Sequence, residues 1–198
     1  GLGFLDGARD DIEQSTGLTG KTRTYGAFVT NTHAYSDKLN INTAIRYNHV
    51  QVDNIDTYNA PGAGASLTGK HHFERFNPTI GATFQPNEIL TTYASYSESS
   101  RAPTSIELGC ANEAQPCNLP TQMADDPPLN QVVAKTFEGG ISGRMSADTN
   151  WNMSIYHATN HDDILFVFAN ASNGMGFFTN VDETTRKGID VGVSTKFD

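Results

Sequence analysis

The stretch LNINTAIRYNHV places Leu39, Ile41, Thr43, Ile45 and Tyr47 on one face of an extended chain and Asn40, Asn42, Ala44, Arg46 and Asn48 on the other. Side chains two residues apart share a face only in a β-strand, so this alternation constrains the fold more than any other feature. TNWNMSIYH repeats it, with Trp151, Met153 and Ile155 opposed to Asn150, Asn152, Ser154 and Tyr156. TRKGIDVGVSTKF repeats it again, with Ile189, Val191, Val193 and Phe197 against Arg186, Asp190, Ser194 and Lys196. No segment sustains the 3.6-residue period of an amphipathic helix. The pattern predicts strands over 22–35, 39–52, 71–84, 88–98, 132–145, 149–159 and 185–197. Most exceed the ~5–6 residues usual in globular strands and reach the ~9–11 that cross a bilayer at a tilt.

The connections alternate as well. Tight turns are expected at 36–38, 85–88 and 146–149, and long links over 53–70, 99–131 and 160–184. An antiparallel sheet with short links at one end and long ones at the other is the pattern of an outer-membrane barrel. Tyr35, Tyr47, Phe84, Tyr96 and Trp151 lie near strand ends, where aromatic rings would sit at a membrane interface, although aromatic residues favour any strand. On this reading Ile41, Ile45, Ile80, Phe84, Phe137, Ile141, Trp151, Ile155, Ile189 and Val191 point to lipid.

Composition narrows the function. A formal charge of -9 and the absence of a basic patch argue against a nucleic-acid partner. The mean hydropathy of -0.44 excludes a helical membrane protein and suits a barrel with polar lumen and loops. Neither a nucleophile elbow, a His-Glu-x-x-His helix, a phosphate loop nor a dinucleotide fingerprint occurs, so no enzyme and no cofactor is expected.

The segments ASYSESSRAPTSIEL, DPPLNQVVAKTFEGGISG, FNPTIGATFQPNE and TNVDETTRKGIDVGV resemble strand and loop segments of TonB-dependent outer-membrane receptors. The resemblance rests on Arg101, Ala102 and Pro103 closing an aromatic-rich strand, Pro128 and Leu129 opening a later one, and Glu138, Gly139 and Gly140 within it. It also rests on Asn180, Thr184, Gly188, Ile189 and Asp190, which match an Asn-x-x-x-Thr-x-x-x-Gly-hydrophobic-acidic signature. It implies an all-β, antiparallel transmembrane β-barrel segment, about seven strands of a roughly 22-stranded barrel. Residues 1–20 would then form an extracellular loop and 21–198 the barrel strands and loops. The family's plug and TonB-binding segment are not found in these residues. The implied function is uptake of a scarce nutrient, a ferric siderophore or other metal chelate, with outer-membrane lipid around the barrel and TonB acting through the N-terminal region not found here. A secreted or surface β-sandwich binding carbohydrate or protein is the alternative.

Under that resemblance Cys110 and Cys117 lie in an extracellular loop, an oxidising compartment, and a disulfide is expected. Their spacing suits neither a four-ligand zinc site nor the usual Cys-x-x-Cys redox pair. Arg101 and Glu107 either pair across the loop base or face an anionic ligand. His71 and His161 are further ligand candidates, but His157 and His161 on an extended strand stand about 13 Å apart, so no metal site is expected. The run Ile164–Phe168, followed by Phe177 and Phe178, reads as a hairpin turning at NASNGMG and packing against neighbouring loops. Its other reading is an aromatic rim of Phe166, Phe168 and Phe177 for a bulky ligand.

Overall fold

The computed structural model describes residues 17–61, 66–111, 129–170 and 175–196. Seven strands follow chain order, each antiparallel to the next: β1 Leu18–Ser36, β2 Leu39–Asp56, β3 Gly69–Phe84, β4 Leu90–Arg101, β5 Val132–Arg144, β6 Thr149–Asn170 and β7 Met175–Thr195. A single helical turn, α1 Ser105–Leu108, lies between β4 and β5. A sandwich needs two facing sheets, and the described strands all belong to one.

The short connections gather at one end. Gln85 N–H donates to Lys38 O at 2.8 Å, Arg144 N–H to Ile89 O at 3.1 Å and Lys196 N–H to Asp148 O at 3.0 Å, stitching neighbouring turns and strand ends together. At the other end the hairpin expected around NASNGMG forms, Phe166 pairing with Phe178, and its arms are longer than the strand bounds read from periodicity. Strand β6 runs on to Asn170 and β7 begins at Met175, so the link expected over 160–184 contracts to residues 171–174. Periodicity does not show that this arm continues β6, because both faces of the run carry apolar residues and the alternation disappears. Strand β1 likewise begins at Leu18, inside the expected loop.

Register settles which face is which. Ile41 lies beside Ala82, Ile45 beside Pro78 and Thr43 beside Ile80. Tyr96 pairs with Phe137, Gly139 with Ile155, and Ile155 with Ile189. All ten residues expected at lipid share this face. Ile80, Phe137, Ile155 and Val191 are 54%, 61%, 56% and 71% exposed, and a continuous apolar surface of this kind is not a water-facing one. Its upper margin is aromatic, with ring centroids 5.0 Å apart for Tyr47 and Phe76 and 4.7 Å for Tyr96 and Phe137. Beyond that margin the same face turns polar, through His49, Glu74, Lys135 and Lys187. From Leu39 to Tyr47 the strand covers about 26 Å, or about 20 Å of height at barrel tilt, close to the ~25 Å apolar band of such barrels.

The opposite face is polar and close-fitting. The Tyr93 ring lies over Gly140 and its hydroxyl donates to Glu138. A Cβ at Gly140 would stand 2.4 Å from that ring, and one at Gly188 would stand 2.5 Å from the ring of Tyr156, so neither position has room for a side chain. The apolar core sits on this face at the loop end: Val52, Leu108, Ala111, Leu129, Val132 and Ile164, with Val50, Phe73 and Phe178 packed against it.

Candidate functional site: the vestibule above the sheet

Strand β4 ends where Pro103 removes a ladder donor, and the chain turns inward. Thr104 caps α1: its hydroxyl accepts from Glu107 N–H at 3.2 Å, and the Glu107 carboxylate accepts from Thr104 N–H at 2.7 Å. The same carboxylate accepts from Arg101 Nη1 at 2.8 Å, so the pair expected across the loop base forms. Burial works to raise the Glu107 carboxyl, but Arg101 and the Thr104 N–H hold it below the usual range. Both residues hold the helical turn in place, and Leu108 is thereby driven into the core at 0% exposed. The Thr-x-x-Glu spacing in TSIEL is a capping box, a signal for this turn that periodicity alone passes over.

The long connection that follows is fastened at both ends to β7. At its entry, Cys110 O accepts from Phe178 N–H. At its exit, Asn180 Oδ1 accepts from Asn130 N–H at 2.8 Å, and Asn180 Nδ2 donates to Asn130 O at 3.2 Å and Asp162 O at 2.7 Å. Asp162 adopts a left-handed φ of 52°, and its carboxylate accepts from Asn130 Nδ2 at 3.2 Å. Next to it Asp163 accepts from the Thr184 hydroxyl and from Asn160 Nδ2. Burial tends to raise the Asp163 carboxyl, yet these donors, the Thr184 hydroxyl foremost, keep it low. The residues of the Asn-x-x-x-Thr-x-x-x-Gly signature thus have structural tasks: Asn180 and Thr184 hold the loop end, and Gly188 makes room for Tyr156. Cys110 is 1% exposed, and no cysteine among the described residues is free. Cys117 lies outside the described residues, as do 112–128 around it.

A second loop is organised by Asp56, which sequence reasoning missed. Its carboxylate accepts from the N–H groups of Tyr58 at 2.8 Å, Asn59 at 2.9 Å and Leu67 at 3.0 Å. Burial favours the neutral acid, but those donors outweigh it and lower the pKa. Between the lumen face of β1–β3 and the segment entering α1 lies a cleft of about 590 Å³ of mixed character, with Thr24, Arg46 and Asn48 but also Val50, Phe73 and Pro103 on its lining.

The remaining candidates separate by face. Phe166 stacks edge-on with Phe168 at 5.4 Å and with Phe178 at 5.2 Å, on the same face as Ile164, above the lumen. Phe177 pairs with Val167 on the opposite face, so Phe178 takes its place in the aromatic group. His71 is on the lumen side of β3 beside Val52. His161 faces outward on β6, its Nδ1 4.0 Å from Glu183 Oε2. The two histidines therefore lie on opposite sides of the wall and share no site. Among the described residues no group of three or more His, Cys, Asp or Glu is placed to hold a metal ion.

A family model described as "TonB dependent receptor-like, beta-barrel" matches residues 3–198. Among curated proteins none matches the chain in sequence. Three similar solved structures are a copper transporter, OprC (TM-score 0.71, 15% identity, 90% of this chain and 27% of that one), the alcaligin outer-membrane receptor FauA of Bordetella pertussis (0.62, 15%, 90% and 28%) and the FrpB iron transporter of Neisseria meningitidis (0.62, 18%, 92% and 25%). The chain thus spans between a quarter and a third of the length of these structures.

Proposed function

Because the chain belongs to the TonB-dependent receptor-like β-barrel family of the outer membrane, we propose that it forms part of the wall and outer vestibule of a receptor importing a scarce nutrient. The ligand class is a ferric siderophore or another metal chelate, and TonB supplies the energy through parts of the receptor outside these residues. In this reading Cys110 and Cys117 close a disulfide that restrains the segment between them by about 2–3 kcal/mol.

The observation that carries the proposal is the aromatic group of Phe166, Phe168 and Phe178 on the inner face of a hairpin that rises beyond the membrane band. Flat aromatic faces gain more from a bulky, partly apolar chelate than from a hydrated ion. The copper and iron transported by the similar structures, and the alcaligin bound by another, agree with a metal or metal-chelate cargo. The test is growth of a metal-starved strain lacking the receptor, complemented with the full-length protein and supplied with single defined chelates. One chelate should restore growth. Replacing Phe166 and Phe168 with Ala should raise the Kd for it about tenfold, as read by fluorescence quenching. Rescue by no metal chelate would overturn the reading.

A further inference from the structure

The outward face carries a groove that import does not use. Its floor is a row of small residues across adjacent strands: Ala82 pairs with Ala94, and Ala94 with Gly139. Ile41 and Ile155 close the row at either side, and Ile80, Tyr96 and Phe137 stand one row higher. The groove has a volume of about 680 Å³, and His157 reaches its upper margin. Nothing polar lines its floor except backbone.

Directly above it the same face is cationic. His157 pairs across the sheet with Phe137 on one side and with Lys187 on the other, and Lys135 stands two residues above Phe137 on β5. Neighbouring strands are about 4.8 Å apart and two residues of strand span about 6.6 Å, so the two ammonium groups and the imidazole can converge on one anion. The carboxylates on this face are already engaged. Glu98, beside Lys135, accepts from Arg75 at 2.8 Å and from the Tyr96 hydroxyl at 2.6 Å. Glu183 faces His161, two rows above Lys187. Glu98 feels the charge of Lys135, but among the described residues no carboxylate stands within ion-pair distance of Lys135 or Lys187.

An apolar trough running up to two lysines without a close ion-pair partner, with an imidazole between them at the aromatic margin, matches one kind of molecule in shape and charge. We propose that this face binds a phosphorylated multi-acyl lipid of the outer leaflet, with an acyl chain along Ala82, Ala94 and Gly139 and a headgroup phosphate on Lys135, Lys187 and His157. The inference needs only the membrane placement of the barrel and is independent of the imported ligand.

Two substitutions separate the halves of the site. Lys135→Gln with Lys187→Gln removes the charge and leaves the trough. Gly139→Leu fills the trough and leaves the charge, and a Cβ there meets only Tyr93 O at an ordinary 3.6 Å. The full-length receptor is equilibrated in phosphatidylcholine vesicles doped with a diphosphoryl multi-acyl glucosamine disaccharide, and retained lipid is counted by native mass spectrometry. The wild type should retain this lipid over its dephosphorylated form, the double lysine variant should lose about twenty-five-fold in retention at roughly fivefold per lysine, and Gly139→Leu should also lose it. Heat-modifiable gel migration, the signature of a closed barrel, confirms that each variant is folded; should the double variant not fold, Lys187→Gln alone carries the charge test. Equal retention of phosphorylated and dephosphorylated lipid, undiminished retention in the lysine variants, or full displacement by inorganic phosphate would overturn the site.

Discussion

Asn180 makes three hydrogen bonds to backbone groups and, beside the Asn130–Asp162 side-chain bond, holds the loop exit against the hairpin. Asn180→Ala removes all three and should cost about 1–3 kcal/mol of local stability, seen as faster hydrogen exchange at Asn130 and Phe178 with the membrane band unchanged. The sequence marks this asparagine as part of a signature but hides its task, because its partner is 50 residues away. Asp56 is less visible still, since an aspartate in a loop is ordinary until the N–H groups converging on it are known. Asp56, Glu107 and Asp163, all beyond the aromatic margin, have depressed pKa values in the fold. A depressed carboxylate lends stability that is fully present above its unfolded pKa of about 4 and lost as pH falls through the folded value. Exchange at Tyr58, Asn59 and Leu67, corrected for intrinsic rate, should therefore be slow and unchanged from pH 7 to 5 and accelerate toward pH 3. A loop that loosens as pH rises would contradict this assignment.

At the level of strands the sequence was most legible. Alternation in β2, β6 and β7 gave each face its residues, because period two is a local property and burial on one side enforces it. Where both faces are apolar, as over Ile164–Phe168, the period vanishes and the true end of β6 goes with it. Phe177 was misplaced for the same reason: one residue of offset moves a side chain to the other side of the sheet. The face assignment has a direct test. Ile155→Lys in the lipid-facing row should cost about 2–4 kcal/mol, whereas Asn42→Lys on the lumen side should cost little, as read from denaturant midpoints of the full-length barrel in lipid. Equal costs would break the assignment.

For the whole molecule, the wall could be read from the sequence and the cap could not. The wall follows from local periodicity, whereas the cap brings together Val52, Leu108, Leu129 and Ile164 from four distant stretches, each of which looks like an ordinary apolar residue beside a loop. The anchoring of the cap has a further consequence. Its chain leaves at Cys110 and returns at Asn130, and these two points are bound to Phe178 and Asn180, only two positions apart on β7. Because the two points of attachment are so close, lengthening the chain between Ala111 and Leu129 costs mainly closure entropy, which grows with the logarithm of its length. Inserting about eight Gly and Ser residues between Ala111 and Leu129 should therefore shift the barrel's unfolding midpoint by less than about 1 kcal/mol, while the same insertion between Asp148 and Thr149 should disrupt it. Such a segment is an exchangeable cassette. It can be lengthened, shortened or replaced wholesale without any compensating change in the strands that hold it.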